Sequence, residues 1–148
     1  MKITTLAPLA LAAAVALAGC ETVEQNTGRN LGATLSGASE VPPNSSAGKG
    51  DAVVNYDGST RVMKYTVNFA GLSGPATAAH FHGPAGAGAN AGVVIPISRQ
   101  GQPLTSPASG EVTLDEARAQ QLLGGQWYIN VHTAANPGGE IRGQVLPK

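Results

Sequence analysis

The sequence predicts an all-β domain: a Greek-key β-sandwich or flattened barrel of about eight antiparallel strands with one short helix. Three observations carry that expectation. From Leu31 onward, short runs of alternating apolar and polar residues recur, as in sheets packed on one face. Clusters of Gly, Pro, Asn and Ser separate the runs, so the 20 glycines and 10 prolines read as turns. Only one stretch breaks the two-residue period.

The expected strands are 31–36, 51–56, 61–70, 77–82, 92–98, 110–114, 126–132 and 139–146. Asp57-Gly58 supplies a tight-turn signal that should pair the second run with the third. The helix is expected from Leu114 to Leu123, with Thr113 and Glu116 as a capping box and Gly124-Gly125 as the stop. Leu122, Leu123 and Ala119 give it an apolar side. Alternation places Met63, Tyr65, Val67 and Phe69 in the core, with Trp127, Ile129 and Val131, with Ala79 and Phe81, and with Ile141, Gly143 and Val145. The same parity turns His80, His82, Tyr128, Asn130, His132, Glu140, Arg142 and Gln144 outward.

Ahead of this domain stands an export signal. Lys2 begins it, an apolar run extends from Leu6 to Ala18, and small residues precede Cys20. The run is shorter than the ~20 residues that cross a bilayer. Leu17-Ala18-Gly19-Cys20 resembles the lipobox of bacterial lipoproteins, which implies cleavage after residue 19 and diacylation of Cys20. The segment from Glu21 to Asn30 is polar and reads as a tether. Glu21 stands where aspartate would mark retention in the inner membrane. The resemblance therefore implies an exported protein, lipid-anchored in an outer membrane and facing the periplasm or the cell surface.

The remaining chain, 31–148, has the length of one domain. Cys20 is the one cysteine, so the domain has no thiol for a disulfide, a zinc-thiolate site or a nucleophile. Formal net charge is zero, which gives no electrostatic footprint for nucleic acid. No serine stands in a nucleophile elbow, and no carboxylate pair suggests glycoside hydrolysis. The glycine-rich stretch 83–92 lacks the lysine and helix of a phosphate-binding loop and reads as a flexible loop.

The chain has 3 histidines, and all fall on outward faces near strand ends. His80 and His82 project to one side about 7 Å apart at the backbone, and His132 offers a third nitrogen from another strand. Three neutral imidazoles suit Cu, Zn or Ni, whereas Ca and Mg favour carboxylates. Copper is the first expectation and zinc the second, with Asn130, Glu140 and Arg142 as supporting residues. Glu140 is open to three roles, a metal ligand, support of His132 or an ion pair with Arg142, and the ion pair is the expected one.

Several motifs stand in the order of the CHRD (chordin) domain, which the chain resembles from Leu31 to Val145. They are 35–43 (Leu-Ser-Gly-Ala-Ser-Glu-Val-Pro-Pro), 71–75, 78–85 (Ala-Ala-His-Phe-His-Gly-Pro-Ala), 128–133 and 136–144. The resemblance implies an extracytoplasmic domain more than a reaction. A second resemblance links the histidines to the copper half of copper,zinc superoxide dismutases, where His80, His82 and His132 match three copper ligands. No histidine matches the bridging or zinc-site ligands, and Glu140 stands where the family guides superoxide with arginine. Three functions stay open: a metal-binding domain, a non-catalytic interaction or scaffold module with a structural histidine network, and a dismutase-like enzyme.

Overall fold

The computed structural model describes residues 28–100 and 102–148. Cys20, the export signal and most of the expected tether lie outside the described residues. Eight strands form one antiparallel sheet: β1 (Arg29–Ser36), β2 (Lys49–Asp57), β3 (Val62–Ala70), β4 (Ala76–His82), β5 (Val93–Pro96), β6 (Ala108–Thr113), β7 (Trp127–Thr133) and β8 (Ile141–Pro147). Among the described residues one short α-helix, α1 (Glu116–Leu123), joins β6 to β7. The order across the sheet is β5-β4-β7-β8-β1-β2-β3-β6, and the sheet curls as a half-barrel. The expected class holds, with the strands continuous in one curled sheet. Among the described residues no helix is long and apolar enough to cross a membrane.

Burial of one face explains the curl. Leu31, Leu35, Val54, Met63, Val67, Phe81, Trp127, Ile129, Val131, Ile141 and Val145 have no exposed surface. They are alternate residues of their strands, as a period of two requires. Phe81 packs edge-on against Tyr65, ring centroids 5.1 Å apart, and tilted against Trp127. The helix closes over this core through Ala119 and Leu122, and Trp127 donates its indole N–H to Gln121. Leu123, expected on the same apolar side, sits at the rim and is exposed.

Local differences from expectation have local causes. Thr113 is still paired in β6, opposite Val62, so it cannot cap the helix. Asp115 does so, accepting from the Arg118 amide at 2.8 Å. The β2–β3 turn is longer than Asp57-Gly58 alone, because Asp57 pairs with Val62. Its left-handed residue is Arg61, and the Asp57 carboxylate organises it by accepting from the Ser59 amide and hydroxyl. β1 begins at Arg29, with Arg29 and Asn30 already opposite Tyr56 and Asn55. The expected tether is therefore shorter at its end.

Candidate metal centre

The site lies on the outer face where β4, β7 and β8 run side by side. Register sets its grid: His80 is opposite Asn130 and Asn130 opposite Arg142, while His82 is opposite Tyr128 and Tyr128 opposite Gln144. His132 sits one rung along, opposite Ala78. Side chains on one face of neighbouring strands are within reach of each other. One nitrogen from each of the three imidazoles can thus be chosen so that all lie within 4.8 Å of one another.

Backbone carbonyls select the nitrogens. His132 Nδ1 is 2.9 Å from the Pro137 carbonyl, and His82 Nδ1 is 2.9 Å from that of Ala91. A carbonyl only accepts, so both Nδ1 atoms carry the proton and both Nε2 atoms present a lone pair. His82 Nε2 is buried with no hydrogen-bond partner. His132 Nε2 meets His80 Nδ1 at 3.1 Å. Two imidazole nitrogens bound to one ion at 2.0–2.1 Å stand about 2.9 Å apart at a right angle and about 3.3 Å apart at a tetrahedral one. The set therefore fits a transition-metal ion in nitrogen type, and in spacing for the His80–His132 pair; since His132 Nε2 presents a lone pair, their contact is a hydrogen bond donated by His80 Nδ1, whose proton an ion would displace.

Electrostatics favours the neutral rings that coordination needs. Burial, then the neighbouring His132 and His82, holds His80 below the ordinary imidazole range. Burial also lowers His132, opposed by the hydrogen bond to Pro137.

The outward-facing residues are not surface residues. Asn130, Tyr128, Arg142 and Glu140 are all buried, because the loop after β4 and the turn before β8 roof this face. The glycine-rich stretch 83–92, expected as a flexible loop, is pinned. Ala85 bonds Gln126, Gly83 bonds Gly92, and Asn90 accepts from Arg142 at 2.8 Å while its amide reaches the Val41 carbonyl.

Arg142 sits over the face of Tyr128, its guanidinium carbon 3.4 Å from the ring centroid. The expected Glu140–Arg142 ion pair does not form. The Glu140 carboxylate instead accepts from the Ser46, Ser73 and Thr133 hydroxyls, the Ser73 amide and the Asn136 side chain. Saturated in this way, it is not one of the gathered ligands. Asn130 stands between His80 and Arg142, and its amide makes one long bond, 3.5 Å, to Gly138. Sequence reasoning missed Tyr128 and the carbonyls of Ala91 and Pro137. Tyr128 was findable as the cross-strand neighbour of His82, but a carbonyl carries no sequence signal.

A family model for the CHRD domain matches residues 31–145. The chain belongs to the CHRD domain family. No curated protein and no solved structure matches it. The match embraces every strand of the sheet apart from the outer ends of β1 and β8, so the histidine cluster is a feature within the CHRD domain itself.

Proposed function

We propose that this CHRD domain binds one transition-metal ion, copper in first place and zinc in second, through His80, His82 and His132 in an extracytoplasmic compartment. The observation that carries the reading is the buried, unpartnered Nε2 of His82 beside His80 Nδ1 and His132 Nε2. An unmet buried acceptor costs about 1–3 kcal/mol, and an ion would satisfy it. Copper at such a site would supply one-electron chemistry, while the protein's own residues orient the rings and burial favours the neutral form of His80 and His132. A dismutase-like activity is a weaker form of this reading, since Glu140 replaces the guiding cation.

The lipid anchor belongs to the same proposal. Its support is the lipobox-like sequence ending at Cys20, which would hold the domain at an outer membrane.

A second reading is a non-catalytic scaffold in which the histidines are structural. The direct His80–His132 hydrogen bond favours it. Calorimetric titration with Cu(II) and Zn(II) separates the two. The metal reading expects one equivalent bound, lost in His82→Ala and His132→Ala while the β-type circular dichroism is kept. The scaffold reading expects no saturable binding and reduced stability in both variants.

A further inference from the structure

The donors of the histidine cluster carry no charge. His80, His82 and His132 lie with one nitrogen each within 4.8 Å of one another, and neither a carboxylate nor a thiol is among the gathered groups. Each ring can coordinate as a neutral donor. His82 and His132 keep the proton on Nδ1, and His80 can carry its own on Nε2. The Glu140 carboxylate is turned to Ser46, Ser73, Thr133 and Asn136. A bound ion therefore keeps its full charge.

The surroundings oppose that charge. Burial and the two neighbouring rings hold His80 below its ordinary value, and burial and His82 act the same way on His132. On the far side of Tyr128 lies a permanent cation. The Arg142 guanidinium carbon is 3.4 Å from the Tyr128 ring centre, which is 4.8 Å from that of His82. Arg142 is buried, so salt screens it little. Glu40 interacts with Arg142, but burial lifts its carboxyl to about 7, so it offsets the cation only in part. At about 8–10 Å and an effective dielectric of about 20, each further unit of charge on an ion is disfavoured by more than about tenfold.

Coordination points the same way. Zinc completes a tetrahedron and Cu(II) a tetragonal set, and each needs a further donor from outside the cluster. Cu(I) is satisfied by a trio of nitrogens. We propose that the cluster selects the monovalent ion Cu(I) over Zn(II) and Cu(II), through the neutral donor set of His80, His82 and His132 and the buried Arg142 behind Tyr128. The inference rests on the metal-binding reading above and narrows it to one oxidation state.

The test is anaerobic competition on the purified protein, with Cu(I) supplied as its bicinchoninate complex, Zn(II) as its nitrilotriacetate complex, and bound metal measured after gel filtration. The protein is expected to take up one equivalent of Cu(I) and to keep it against about a tenfold excess of Zn(II). Cu(II) should bind more weakly, so the reduction potential of the copper, read by mediator titration, should rise on binding. Ala78 lies opposite His132 and two residues before His80 on the same face, so Ala78→Asp sets a carboxylate beside the cluster. That variant should lose the preference for Cu(I) over Zn(II) by about tenfold or more, while Ala78→Asn, of similar size without the charge, should keep it. Circular dichroism of the β type checks that both are folded. Displacement of Cu(I) by Zn(II), or a potential lowered on binding, overturns the selectivity and leaves the metal site standing. An unchanged preference in folded Ala78→Asp overturns the role of charge. Failure of every ion to bind overturns the site itself.

Discussion

The imidazole of His82 lies flat against the ring of Tyr128, centroids 4.8 Å apart and planes 4° from parallel. Both side chains reach the same carbonyl, that of Ala91, at 2.9 Å from His82 Nδ1 and 3.3 Å from the Tyr128 hydroxyl. Because β7 lies between β4 and β8, Arg142 approaches Tyr128 from the side opposite His82.

This relationship separates two variants of Tyr128. Tyr128→Phe keeps the stack and loses the hydroxyl bonds, for a cost of about 1 kcal/mol. Tyr128→Ala removes the ring from between an imidazole and a guanidinium and should cost about 3–5 kcal/mol. Urea unfolding of both variants measures the difference. Equal midpoints would mean that the stack contributes nothing.

Metal affinity should depend on pH through His80 and His132. Both are held below the ordinary imidazole value by burial, so protons compete with an ion only below about pH 6.5. The unfolded chain binds more protons than the fold in that window. Stability of the metal-free protein is therefore fully present above about 6.5 and falls as pH drops toward the depressed folded values. Cu(II) titrations between pH 5 and 8 check this, and half-loss of affinity above pH 7 would contradict it.

Two buried carboxyls should pull stability in opposite directions. Burial works against ionised Glu140, but the Ser46, Ser73 and Thr133 hydroxyls and the Ser73 amide outweigh it and hold the group at about 2. Its contribution is present above about 4.5 and lost as pH falls through 2. Glu140→Gln should destabilise by about 3 kcal/mol at pH 7. Glu40, raised to about 7, binds its proton more tightly in the fold, so stability falls as pH rises from 4.5 through 7. Glu40→Gln should therefore gain up to about 3 kcal/mol at pH 8 and little at pH 4. Thermal melts of both variants across pH test the two signs.

Cys20→Ser should release the protein from the membrane fraction, since the proposed anchor rests on one thiol. Detergent-phase partitioning equal to wild type would remove the lipid anchor from the account.

Much of this was legible because alternation is a strong local signal. Met63, Tyr65 and Val67 alternate with polar neighbours, and antiparallel order brings His80 and His132 together on adjacent strands. What parity could not give was cover. Asn130, Tyr128, Glu140 and Arg142 were correctly turned away from the core, yet they are buried under segments whose paths follow no period. The Glu140–Arg142 ion pair failed for the same reason, since Ser46 and Ser73, far away in sequence, join Thr133 and Asn136 as the partners of Glu140. The helix cap failed because Thr113 satisfied a motif while its backbone was committed to β6.

The position of β1 has a consequence for how the chain assembles. The sheet consists of two four-stranded halves, β5-β4-β7-β8 and β1-β2-β3-β6, and the pairing of β1 with β8 joins them. These are the first and last strands in chain order. β1, β2 and β3 are neighbours in sequence and can pair early, but the outer edge of β1 stays open until β8, more than 100 residues away, docks on it. Contacts so distant in sequence slow folding, and an unpaired strand edge invites association with other chains. Assembly is thus gated by its final strand, the same strand that carries Arg142 to Tyr128.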